Sequence, residues 1–146
     1  MKRFEFSLEK LMDYKNQLLT DEKQRLAELR ARLDKLNELV AKLKAEYACC
    51  NELLNERSRT GLAPMEISQR KAYLNALNER IKLETQQLRM MELKVSEQVS
   101  VVVRISQDIS ALDKLKERQF EEYRMEESRE YQLLIEEFVA NSAITL

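Results

Sequence analysis

The sequence predicts an all-α chain, an antiparallel two-helix coiled-coil hairpin with unequal arms and its turn near residues 58–64. Three observations predict it. Apolar residues recur every seven positions in two separate frames, and the composition is rich in Leu, Glu, Lys, Arg and Ala, as long helices require. The only glycine and the only proline of the 146 residues, Gly61 and Pro64, lie together between the two frames. A chain with one glycine and one proline has material for a single sharp reversal, and its 44% apolar content is too high for disorder. A single domain, residues 1–146, is therefore expected, with a first helix at about 7–58 and a second at about 64–140.

The N-terminal segment carries the first start signal. Ser7 is placed to cap a helix, Glu9 falls in its first turn, and Phe6 with Leu11 has the spacing of a hydrophobic staple. From Met12 the first frame runs Met12, Leu19, Leu26, Leu33, Val40, Tyr47 and Leu54, all apolar. Three positions further on are Lys15, Glu22, Leu29, Leu36, Leu43, Cys50 and Arg57, apolar in the middle and polar at both ends. These are the a and d stripes of one helix. Leu36 is expected in the best-packed third of the seam.

Gly61 can take the left-handed conformation that ends a helix, and Pro64 suits the first turn of the next, where its missing N–H costs nothing. Beyond them the second frame runs Ile67, Leu74, Ile81, Leu88, Val95, Val102, Ile109, Lys116 and Tyr123. Its partner stripe is Arg70, Leu77, Glu84, Met91, Gln98, Ile105, Leu112, Gln119 and Glu126. The valine-rich stretch from Val99 to Ser106 has strand propensity, but its frame stays heptad and no second strand is available, so it is expected to be helical.

In an antiparallel pair, a positions of one helix face d positions of the other, which fixes the register. If residue i faces residue 124 − i, Tyr47 meets Leu77, Leu33 meets Met91, Leu36 meets Leu88 and Met12 meets Leu112. Totals of 117 or 131 fit the heptads equally well, but only 124 puts the reversal at residue 62, beside Gly61. Each arm is then about 50 residues or more, roughly 75 Å at the helical rise. The last 23 residues face nothing in the hairpin, yet Tyr131, Leu134, Ile135 and Phe138 recur there at i, i+3, i+4 and i+7. That amphipathic tail is expected to be frayed or mobile in the isolated chain.

Charge and chemistry narrow the function. With 25 basic and 26 acidic residues, no field favours nucleic acid over the whole surface, although residues 113–146 carry a net charge of −4. The chain has no histidine, so HExxH and Ser/His/Asp sets are excluded, and one glycine cannot make a phosphate loop. Cys49 and Cys50 are neighbours, which disfavours a disulfide between them, and no further soft ligand completes a metal site. They are expected to be reduced thiols in a cytoplasmic protein. No secretory signal and no membrane span is expected. Not an enzyme, then, and without cofactor, metal or catalytic residues, the chain is expected to act through its surfaces. Leu11 and Leu18, just off the a stripe, and Tyr73, flanking the seam beside Leu77, are candidate contacts.

Three blocks carry a resemblance: "FEFSLEKLMDYKNQLLTDEKQRLAEL", "GLAPMEISQRKAYLNALNERI" and "LDKLKERQFEEYR" followed by "LLIEEF". In this order and at this length the chain resembles the flagellar export protein family FliJ. The resemblance implies a cytoplasmic, non-enzymatic stalk similar to the central stalk of rotary ATPases, serving flagellum biogenesis and chemotaxis. Its implied partners are the flagellar export ATPase ring, whose assembly it would promote, the cytoplasmic domain of the membrane export gate, and export chaperones. The implied location is peripheral, at the inner face of the cell membrane, with no direct membrane insertion and no nucleic acid. By position, the resemblance assigns export-gate binding to Tyr73, Leu77, Arg80 and Glu84. It assigns ATPase binding to Phe4, Phe6, Leu8 and Leu11 with Tyr131, Leu134, Ile135 and Phe138. The alternatives are the stalk of a virulence type III secretion system and a structural coiled coil that homodimerises in parallel; Gly61 and Pro64 argue against the latter, since they would interrupt a continuous rod.

Overall fold

The structure, a computed structural model, describes residues 2–144. Among them are two α-helices and no strand: α1, Glu9–Thr60, and α2, Pro64–Ile144, packed against each other as a helical hairpin. The three-residue turn 61–63 is centred on residue 62, and Gly61 adopts a φ of 96°, the left-handed conformation that glycine tolerates best. Pro64 opens α2, and the Ile67 N–H donates to the Ala63 carbonyl at 3.2 Å. The valine-rich stretch 99–106 is helical throughout.

Packing follows the two heptad frames closely. Of the a and d positions from Met12 to Glu126, only Arg57 and Glu126 are exposed; every other one is buried or half-buried. Leu36 and Leu88 are half-buried, whereas Val40, Leu43, Leu54, Leu74 and Leu77 are buried. The tightest layers thus lie nearer the turn than expected, where the connection holds the two helices in register.

The chain divides into two compact units, residues 22–101 and residues 1–21 with 102–146. In the turn-bearing unit, the Tyr73 hydroxyl donates to the Glu46 carboxylate, and the Gln98 amide donates both to the Glu22 carboxylate and, at 3.0 Å, to the Glu22 carbonyl. The residue numbers total 119 for the flanking pair and 120 for the two d positions of neighbouring layers, the values these pairs take when facing a and d positions total 124, and the turn at residue 62 excludes a slip by a heptad. In the terminal unit, Lys15 meets Asp108, Glu9 meets Lys116 and Phe4 meets Phe120, with totals of 123, 125 and 124. The register expected from the fold point is the one observed there.

The N-terminus departs from expectation. The Met12 N–H donates to the Leu8 carbonyl at 2.9 Å, so Leu8 and not Ser7 stands at the helix start, after a turn in which Glu9 N–H donates to the Phe6 carbonyl at 3.1 Å. Phe6 is buried while Leu11 is 41% exposed, unlike the matched pair a staple requires. At the other terminus α2 continues as helix through Ile144, past the expected end near 140, and every residue from Arg124 to Ile144 is exposed.

Candidate functional site

Two surfaces collect the residues singled out by the sequence. The first lies on the turn-bearing unit. Tyr73 and Arg80 occupy the flank of the α2 seam two turns apart, and both are exposed. Leu77 and Glu84 stand on the same side of α2 but one step closer to α1. Leu77 is only 7% exposed, and Glu84 is half-buried. The structure therefore places two of the four residues at the surface and two toward α1. Leu77 is a core residue, because its d position faces the a position Tyr47, and burial leaves it little surface for a partner.

What joins Tyr73 on the surface comes from α1. Glu46 accepts the Tyr73 hydroxyl, and this hydrogen bond, reinforced by the carboxylate's charge, raises the Tyr73 phenol above its ordinary 10.0, because ionisation would set two anions side by side. Cys50 of α1 lines an open concavity with Gln69, Arg70, Tyr73 and Leu74 of α2. Glu46 and Cys50 belong to this edge although sequence reasoning did not assign them to it. The signal was available, since Glu46 and Tyr73 both immediately precede an a position and so flank one side of an antiparallel seam.

The second surface lies on the terminal unit. Phe4 packs edge-on against Phe120, with ring centroids 5.2 Å apart, and lies 5.5 Å from Tyr123. The Tyr123 hydroxyl donates to the Lys2 carbonyl at 2.7 Å, and the Arg124 guanidinium lies 5.9 Å from the Phe120 ring centroid. Residues 3–7 with Glu9, Lys10 and Lys116 enclose an open concavity. Phe6, 7% exposed, and Phe4 and Leu8, half-buried, are thereby committed to packing within the chain. Of the four N-terminal residues assigned to a partner, only Leu11 offers a large free area, and Phe6 offers the least. Phe120 and Tyr123 were missed, although the register places Phe4 opposite residue 120.

The four assigned tail residues are all exposed. Tyr131, Leu134, Ile135 and Phe138 are 67%, 63%, 46% and 73% exposed, an apolar stripe on one helix face with no chain segment over it. The seam frame does not continue into this stripe: its next a positions are Glu130 and Glu137. The tail face is thus rotated away from the hairpin seam, which suits contact with something else.

The concavities are open and shallow, and no group of three or more His, Cys, Asp or Glu residues that could hold a metal occurs among the described residues. No helix among them is long and apolar enough to cross a membrane. Neither curated proteins nor solved structures give a significant match to the chain. The family model described as flagellar FliJ protein matches residues 4–145, nearly the full length and both surfaces. A two-helix hairpin with its fold at residue 62, spanned end to end by that family pattern, leaves one conclusion: the chain belongs to the FliJ family of flagellar proteins.

Proposed function

We propose that this chain is the stalk and adaptor of the flagellar protein export apparatus, promoting assembly of the export ATPase ring and coupling it to the membrane export gate. Family membership supports the flagellar export-related setting. The observation that carries the finer reading is the inequality of the two arms. The longer arm ends in an exposed apolar stripe, Tyr131, Leu134, Ile135 and Phe138, flanked by Glu127, Glu130 and Glu137. Such a helix fits an apolar groove with a basic rim, and burying four such side chains contributes about 1.5–3 kcal/mol each before ordering costs.

In this reading the tail and Leu11 meet the ATPase, while Phe4, Phe6 and Leu8 brace the N-terminus against α2. The gate contact falls on Tyr73 and Arg80, with Glu46 fixing the tyrosine and with Leu77 and Glu84 supporting the helix from behind. Handling of export chaperones, and peripheral placement at the cytoplasmic face of the membrane through the gate, follow from the same role.

The test is titration of the intact chain into the cognate export ATPase, following ring assembly and ATP hydrolysis together. Intact protein is expected to raise both. A chain ending at Arg124 keeps the aromatic cluster and should lose most of the stimulation, and what remains should depend less on salt. Equal stimulation by the shortened chain would remove the tail from the mechanism.

A further inference from the structure

A third surface adjoins the edge that carries Tyr73 and shares Arg80 with it. On the outer face of α2, away from the seam, Leu83, Met90 and Leu93 are 61%, 61% and 65% exposed. Leu83 and Met90 are seven residues apart and Leu93 three further on, so they share one face, in a stretch of the turn-bearing unit where the seam itself is already satisfied. The exposed charged residues between 79 and 94 are Arg80, Lys82, Arg89 and Lys94 against Glu79 and Glu92, a net charge of +2. Glu79 is tied to Lys82 at 3.4 Å. Glu84 is half-buried on the seam side, and Glu92 is exposed on the flank of the seam opposite to Arg80 and Lys94.

The same chain carries the complement. Residues 124–144 contain Arg124 and Arg129 against Glu126, Glu127, Glu130, Glu136 and Glu137, a net charge of −3, beside their own exposed apolar stripe. Both surfaces lie on the one helix α2, Pro64–Ile144, so the tail cannot fold back onto the patch without breaking that helix. We propose that the acidic tail of a second copy of this chain docks on the basic-rimmed apolar patch Leu83–Met90–Leu93. Its apolar stripe covers the three exposed side chains, and its glutamates meet Arg80, Arg89 and Lys94. Tail and patch are different surfaces, so association either closes reciprocally into a dimer or continues into longer assemblies. Self-docking would also cover the tail until a competing partner takes it, although the inference concerns the isolated chain and does not rest on the stalk reading.

Sedimentation equilibrium of the full chain, kept reduced because Cys49 is exposed, tests this directly. Up to about 1 mM protein at low ionic strength, the average mass should rise above 17.3 kDa with concentration and fall back as salt is added. Arg89→Glu with Lys94→Glu, and separately Glu130→Lys with Glu137→Lys, should each weaken association at least about tenfold while leaving thermal melting unchanged. Mixing the two variants should restore it, since the reversed charges then match. A chain that stays monomeric throughout overturns the proposal, as does association insensitive to both variants. Equal competition by an acidic amphipathic peptide of unrelated sequence would give the patch to another partner and also overturn self-docking.

Discussion

The turn-bearing unit and the terminal unit use the same two helices to different ends. Around the turn the seam is closed by aliphatic side chains, with Val40, Leu43, Leu54, Leu74 and Leu77 all below 9% exposure. The terminal unit has fewer buried aliphatics, Met12, Ile105 and Ile109, and closes its seam with the Lys15–Asp108 and Glu9–Lys116 ion pairs and the Phe4, Phe120 and Tyr123 rings. Aliphatic burial is not directional and depends on area, whereas ion pairs at partly exposed positions contribute little and weaken with salt. The comparison teaches that stability is concentrated near the turn, while the terminal unit gives up some of it for an exposed helix.

The largest expected effect therefore belongs to the turn-bearing seam. Leu43 is the least exposed of the core residues at 4%, and Leu43→Ala should cost about 2–5 kcal/mol, read as a fall in thermal melting temperature. Leu36→Ala, at a half-buried layer of the same helix, should cost clearly less. Equal losses at the two positions would erase the distinction between tight and loose layers.

Gln98 comes next. It is 8% exposed at a d position, and its amide is bound to Glu22 alone. Gln98→Leu replaces a buried polar group by an apolar one, and Glu22, being half-buried, can turn to water. Melting temperature should rise, by an equivalent of about 1 kcal/mol, while the polar pair that marks this layer is lost. Crosslinking at neighbouring layers should then detect a second register. A lower melting temperature would mean that the hydrogen bonds to Glu22 outweigh their desolvation.

How far the sequence reveals this division is seen in particular residues. The unbroken a stripe from Met12 to Leu54 predicted the buried face of α1, because a two-helix seam repeats every seven residues and leaves a periodic trace. The fold point was legible for a different reason, since one glycine and one proline offered a single place to turn. Residues 2–8 were not legible in that way: they precede the helix, so nothing periodic says that Phe6 goes inside or that Tyr123 reaches the Lys2 carbonyl. Leu77 carries two readings. Its frame already placed it in the core, and the family resemblance drew it to the surface.

On the terminal unit the effects should be smaller. Phe4→Ala removes one ring of the cluster, a loss of about 0.5–1.5 kcal/mol beyond its buried area, and should speed amide exchange at Glu9 and Met12 more than near the turn. The Glu9–Lys116 pair, 2.9 Å apart with both side chains 40% or more exposed, should show a coupling of about 0–1 kcal/mol in a double-mutant cycle with Glu9→Gln and Lys116→Gln, fading in salt. A larger, salt-resistant coupling would move this unit toward the turn-bearing one in character.

The smallest effect on stability is expected at Tyr73, where the two helices meet through a surface hydrogen bond. Glu46 raises the Tyr73 phenol above 10.0, so the folded chain holds the neutral hydroxyl more firmly than the unfolded chain does. Because the folded value lies above the unfolded one, whatever the bond contributes is fully present below pH 10 and is lost as pH rises through the folded value. Tyr73→Phe should leave melting at neutral pH almost unchanged, since the group is exposed and hydrated in either state. Ultraviolet titration should nevertheless show Tyr73 ionising late in the intact chain, and Glu46→Gln should bring it down. If the late tyrosine persists in Glu46→Gln, the carboxylate is not what holds it, and the proposed gate-facing edge loses the α1 residue that positions its aromatic ring.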